Sequence, residues 1–138
     1  MFIKNLFFKV EFAAYCERHF CKDFLRKYKS KGWSETKEAI GSTLERAFLM
    51  QDTSRIDLLK YSNEEDAGIF KYDFKVAGTP FSPKSSGNRA IFHLSNSTGK
   101  TTILLVYGKD HCGKGQAETQ WILDEIKKAF PEYKKLCR

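Results

Sequence analysis

The chain has 138 residues, a mass of 16.0 kDa and 41% apolar residues, with a formal net charge of +7. This length and apolar content predict one globular domain over residues 1–138 and exclude a disordered polypeptide. The longest apolar run, ILLV at residues 103–106, is far shorter than the roughly 20 residues of a membrane-spanning helix, so no membrane span is expected.

The first half of the chain predicts a strand followed by two helices. Residues 7–12 are apolar enough for a short strand. Apolar residues then recur every three or four positions over residues 13–28, the pattern of an amphipathic helix, which Gly32 would end. Ser34 is suited to cap a second helix that includes Ile40 and Leu44. Because the joining loop is short, we expect these helices to form an antiparallel hairpin.

The second half of the chain has the two-residue period of strands. Residues 69–75 alternate aromatic and charged side chains, and residues 78–87 form a loop with two prolines. Residues 89–94 and 101–107 predict two strands joined by a turn at residues 95–99.

A last helix is predicted over residues 116–130, with Ile122 and Ile126 on its apolar side and Pro131 just beyond its end. The predicted fold class is α+β. An N-terminal strand and a helical hairpin pack on a twisted, antiparallel-rich sheet, and a helix follows at the C-terminus.

The cysteines and the N-terminal segment bear on the cellular compartment. The four cysteines are too sparse for a disulfide framework, so free thiols are expected. The five-residue spacing of Cys16 and Cys21 around His19 is a poor match to a zinc site, so no metal is expected. Residues 1–10 are interrupted by Lys4 and Lys9 and lack the pattern of a secretory signal. We therefore expect a cytoplasmic protein.

The positive charge is concentrated in the second half of the chain. Residues 1–69 carry 12 basic and 11 acidic residues, whereas residues 70–138 carry 12 and 6. Such a field attracts polyanions such as nucleic acid, or an acidic protein partner. The alternative is a basic surface that serves only solubility.

Side-chain alternation predicts where these charges lie. If the aromatic face of the sheet packs on the helices, the opposite face is exposed and cationic. A one-residue change of register would bury a strand's contribution instead. The residues expected on the exposed face are Lys71, Lys75, Arg89, His93, Tyr107 and Lys109.

Three segments resemble the RelE/ParE superfamily of bacterial toxins. They are residues 86–92 (SGNRAIF), residues 103–110 (ILLVYGKD) and a terminal helix with Glu118, Ile122 and Ile126. The resemblance implies a RelE/ParE-like fold and a toxin of a type II toxin–antitoxin pair, neutralised by a cognate antitoxin protein. RelE-like members cut messenger RNA, commonly on the ribosome, whereas ParE-like members inhibit DNA gyrase without cutting. No small-molecule cofactor or metal is implied.

Metal-independent RNA cleavage must deprotonate the ribose 2′-hydroxyl, stabilise the phosphorane and protonate the leaving oxygen. Arg89 matches the family's strand arginine and could hold the phosphate, and Lys109 matches the cation at the end of the apolar strand. The proton shuttle is a lysine or His111. The predicted catalytic residues are Arg89, Lys109, His111, Lys71 and Lys75. The predicted substrate-binding residues are Tyr107, Lys84 and His93.

Each of these residues also has a plain structural interpretation. The basic residues can also be solvated or ion-paired side chains. His93 can be a hydrogen-bonded sheet residue, and Tyr107 can cap the core. For the whole chain, two other hypotheses stand beside the nuclease. They are a ParE-like gyrase inhibitor and an inactive, basic nucleic-acid-binding relative.

Overall fold

The computed structural model describes residues 7–46, 55–108 and 117–138. The elements, in chain order, are strand β1 (Lys9–Phe12), helix α1 (Ala14–Cys16), a π-helical turn (Glu17–Cys21), helix α2 (Lys22–Glu45), strands β2 (Ile56–Ser62), β3 (Ala67–Phe74), β4 (Asn88–Ser95) and β5 (Lys100–Tyr107), helix α3 (Glu118–Ala129) and a 3₁₀ turn (Pro131–Tyr133). None of the helices in these ranges has the length and apolar character needed to cross a bilayer.

The five strands form one mixed sheet in the order β1-β5-β4-β3-β2. Strand β1 pairs in parallel with β5, and every other pair is antiparallel. The predicted α+β class with an antiparallel-rich sheet and a C-terminal helix is therefore confirmed. Strand β2 was not predicted, and its pairing with β3 is interrupted by a register shift between Leu58 and Lys60. Such an irregular edge strand lacks a clean two-residue alternation in sequence.

The break between the two N-terminal helices lies inside α2, at Lys29. This residue has φ 66° and ψ 169°, a conformation that ends the helical path. Phe24 and Trp33 stack with ring centroids 4.8 Å apart, although nine residues of continuous helix would separate them by about 13.5 Å. The chain therefore reverses direction as predicted, but at Lys29 and not at Gly32.

One face of the sheet packs against α2. Phe74 of β3 contacts both aromatic rings of the helical pair, with centroid distances of 5.9 Å to Phe24 and 6.4 Å to Trp33. On the same face Phe70 stacks on Phe92 of β4 at 5.2 Å. The predicted aromatic face is thus the face that packs on the helices.

The opposite face is covered by α3, so the prediction of an exposed cationic face is wrong. Ile91 and Leu105 lie opposite each other on this face, and both are fully buried. On α3, Ile122 and Ile126 are fully buried as well, and Trp121 packs edge-on against the ring of Tyr107 at 4.9 Å. Apolar residues alternate with charged residues on this face. Removing the apolar side chains from water requires a helix that covers the face.

Replacing Ile91 with alanine tests this second layer. Under α3 the substitution leaves a cavity, and we expect a loss of about 2–5 kcal/mol in the free energy of unfolding, measured by urea denaturation. The matched control is Leu58→Ala on edge strand β2, where the side chain is 50% exposed and the expected change is within about 0.5 kcal/mol. Equal, small effects at both positions would mean that the face carrying Ile91 is open.

Candidate functional site

Four of the predicted site residues meet at one end of the sheet. The pairing register places Asp73 opposite Arg89 and Arg89 opposite Tyr107, so these three form one row across β3, β4 and β5. Lys71 and Lys84 lie close enough to Asp73 for their positive charges to oppose the rise that burial causes in the pKa of its carboxyl group. We call the group the sheet-end cluster; its members are Lys71, Asp73, Lys84, Arg89, Tyr107 and Glu118.

Arg89 is held by an ion pair and by the loop before β4. Its Nε lies 2.9 Å from Oδ1 of Asp73, and the two side chains are only 15% and 6% exposed. Its Nη1 donates to the carbonyl oxygens of Asn88 at 3.0 Å and Pro83 at 3.4 Å, and Nη2 donates to that of Lys84 at 3.4 Å. These contacts fix the plane of the guanidinium group.

Burial raises the pKa of the Asp73 carboxyl group above its ordinary value, and the positive charges of Arg89 and Lys71 oppose this rise. The carboxylate is therefore held in its charged form mainly by its cationic neighbours. Removing one partner of such a pair leaves the other buried and uncompensated, which costs about 3–5 kcal/mol.

Glu118 joins the cluster from the first turn of α3. The Nζ of Lys71 donates to its Oε1 at 3.0 Å. Burial alone would raise the pKa of Glu118, but the hydrogen bonds and charge of Lys71, together with the hydroxyl of Tyr107, lower it overall. The cluster thus holds an ionised carboxylate between an ammonium group and a buried phenol.

Asp73 and Glu118 were not predicted as members of the site. Asp73 shares a strand face with Lys71, and that alternation was the available signal. No local sequence pattern indicates that Glu118 belongs to the site, because only the docking of α3 on the sheet brings it to Lys71.

Two other predicted site residues, Lys75 and His93, lie apart from the cluster. Lys75 is exposed and lines a cleft of about 270 Å³ with Thr36 and Arg55. His93 lies four residues from Arg89 along β4, a separation of about 13 Å, and stacks on Tyr133 at 4.3 Å. Its place in β4 agrees with the structural interpretation of His93 as a sheet residue, and the contact shown for its ring is stacking. Lys109 and His111 lie outside the described residues.

The described cysteines are free, and no group of His, Cys, Asp or Glu within the described ranges could hold a metal ion. Cys16 and Cys21 are buried, with their sulfur atoms 3.8 Å apart. The hydrogen bond between the two thiols and burial raise the pKa of Cys16, since both favour its protonated form. His19, the third residue weighed for zinc, stacks on the ring of Tyr15. Cys112 lies beyond the described segments.

Comparison of the chain with profiles of protein families, with curated proteins and with solved structures gives no significant match. The likeness to the RelE/ParE superfamily therefore rests on the residues that carry it.

The cluster has the components of a phosphate-binding and proton-transfer site. Three cations meet two carboxylates, and exposed Lys84 leaves part of the positive charge open to solvent. Arg89 is orientated before any ligand arrives, which lowers the cost of binding a phosphate group.

His93 generates a prediction for acid stability. Burial lowers its pKa to about 4, with the charge of Glu132 opposing the shift. The folded protein therefore binds fewer protons than the unfolded chain between pH about 4 and 6.5. The stability that depends on a neutral His93 is fully present above pH about 6.5. It is lost as the pH falls towards about 4, and the total loss is about 3 kcal/mol.

We expect His93→Phe, which keeps an aromatic ring beside Tyr133, to flatten the dependence of unfolding free energy on pH in this range. Urea denaturation at several pH values measures it. Exposed His19 provides the control, since His19→Gln should retain the wild-type slope. An unchanged slope in His93→Phe would contradict the assignment.

Proposed function

We propose that this protein is a RelE-like toxin of a toxin–antitoxin pair that cuts messenger RNA by metal-independent transesterification. Under this proposal it acts in the cytoplasm, in association with the ribosome, and a cognate antitoxin protein neutralises it. The observation that carries the proposal is the convergence of Lys71, Lys84 and Arg89 around Asp73 at one end of the sheet. Lys71 and Arg89 are predicted catalytic residues and Lys84 is a predicted substrate-binding residue, and the RelE-like interpretation requires several such cations near one phosphodiester.

The order of elements supports the same proposal. The resemblance implies a strand, a helical pair, an antiparallel-rich sheet and a terminal helix, and the chain has these elements in that order. The motif residues of the resemblance also meet, because Arg89 and Tyr107 are cross-strand neighbours and Glu118 lies against Tyr107.

Each member of the cluster has a role in the proposed reaction. Lys84 and the outer edge of the Arg89 guanidinium group bind the scissile phosphate and stabilise the charge of the phosphorane. Lys71, which donates to Glu118, gives a proton to the leaving 5′-oxygen and becomes neutral. If Glu118 takes the 2′-proton, it becomes neutral as well, and transfer of that proton from Glu118 to Lys71 restores both groups. Removal of the 2′-proton falls to Glu118 or to His111, which follows β5 closely in the chain.

One observation favours a second candidate function, a ParE-like inhibitor of DNA gyrase. Both half-buried cations, Lys71 and Arg89, already have carboxylate partners, and α3 covers the face on which they stand. An inhibitor that only binds a protein target needs no cation free for chemistry.

The test is primer extension on a defined messenger RNA in a bacterial translation extract with added protein. We expect new transcript ends with the wild-type chain. Lys84→Ala should reduce cleavage about tenfold or more, because it removes one charge from the phosphate site without disturbing the core. Lys135→Ala is the matched control, since Lys135 is an exposed lysine beyond α3, outside the cluster and outside the predicted site residues, and its cleavage should equal that of wild type.

Arg89→Lys is the second variant. It keeps the charge beside Asp73 but loses the planar fork, so cleavage should fall while the thermal unfolding midpoint changes little. Intact messages together with inhibition of DNA supercoiling by gyrase would contradict the nuclease proposal and support the ParE-like inhibitor. If neither activity is found, the inactive nucleic-acid-binding relative is the remaining hypothesis.

A further inference from the structure

The loop between β3 and β4 presents an aromatic ring to solvent beside the sheet-end cluster. Phe81 is 54% exposed, and only a few large apolar side chains in the described residues are exposed to this extent. An exposed phenyl ring contributes nothing to the core and keeps apolar surface in water.

Hydrogen bonds from the residues that follow Phe81 tie this loop to itself and to the end of β3. The hydroxyl groups of Ser82 and Ser85 bond to each other at 2.8 Å, and each accepts from the backbone N–H of the other residue. Ser86 Oγ lies 2.6 Å from the carbonyl oxygen of Phe74, which anchors the loop to the end of β3. Pro80 and Pro83 restrict the backbone further. The ring is thus carried on an ordered support.

The loop that carries the ring is cationic. Residues 75–89 contain three basic residues, Lys75, Lys84 and Arg89, and no aspartate or glutamate. Lys84 follows Phe81 by three residues, so their Cα atoms are at most about 11 Å apart. Arg89 donates to the carbonyl oxygens of Pro83 and Lys84 and so ties the loop to the cluster.

We propose that Phe81 is a stacking platform for an unpaired base of single-stranded RNA whose backbone phosphate lies at Lys84. An aromatic ring beside a basic groove is the arrangement by which proteins bind single strands, and each stacked base contributes about 1–3 kcal/mol. The choice of RNA rests on the proposed function. A hydrophobic anchor for a protein partner fits less well, because the residues next to Phe81 are proline, serine and lysine and provide no continuous apolar patch.

The test uses the purified full chain and a short, uridine-rich, single-stranded RNA containing one fluorescent adenine analogue. Binding is followed by anisotropy and stacking by quenching of the analogue. To separate binding from cleavage, the RNA carries 2′-O-methyl groups and cannot be cut. We expect Phe81→Ala to weaken binding by about 5- to 150-fold and to abolish quenching, whereas Phe81→Trp retains both.

Phe7→Ala is the matched control, because Phe7 is 55% exposed and lies in the N-terminal segment before β1. Its binding and quenching should equal those of the wild type. Lys84→Ala should weaken binding and reduce the salt dependence by about one phosphate contact.

The proposal is overturned if Phe81→Ala binds and quenches like the wild type, if Phe7→Ala loses as much, or if the wild-type chain binds no single strand. Loss of antitoxin binding by Phe81→Ala with unchanged RNA binding would assign the ring to a protein interface and also overturn it. RNA binding that depends on Phe81, in a chain that cuts no message in the primer-extension assay, supports the platform and contradicts the nuclease. Message cleavage by the wild-type chain, together with wild-type RNA binding by Phe81→Ala, supports the nuclease and overturns the platform.

Discussion

The burial of both faces of the sheet determines how the charged residues of this protein are arranged. Ile91 and Leu105 stand among charged residues on the second face, and removing their apolar surface from water requires α3 on top of them. Asp73 and most of Arg89 are buried at one end of the same face. Half-buried charges without partners are costly, so the same packing forces these residues into ion pairs. The sheet-end cluster is the result.

The pairing has two opposite consequences for chemistry. It orientates Arg89 through Asp73 and keeps Glu118 ionised beside Lys71, which is the kind of prior organisation that catalytic sites use. It also neutralises part of the positive charge that would attract RNA. Among the described residues of this region, Lys84 and Phe81 are exposed and therefore accessible to a large polyanion.

Several local features were predictable because they depend on neighbouring residues alone. The alternation in β3, the turn between β4 and β5 and the apolar stripe of α3 all correspond to elements of the structure. Gly32 was a reasonable place for a helix to end, yet Lys29 has the non-helical backbone, because the stacking of Phe24 on Trp33 sets where the chain reverses. Edge strand β2 was missed, since its bulge obscures the two-residue period.

The amino-acid pattern by itself determined the α+β class, the order of most elements and the strand faces on which Lys71, Arg89 and Tyr107 lie. Only the tertiary structure decided that a helix covers this face, that Asp73 and Glu118 join the cations, and that His93 lies apart from them with Tyr133. Periodicity within a strand shows on which face of the sheet each side chain lies. The helix that covers the second face comes from residues some 30 positions away in sequence. Its position is chosen by the burial of apolar surface, which acts between elements and leaves no local signal.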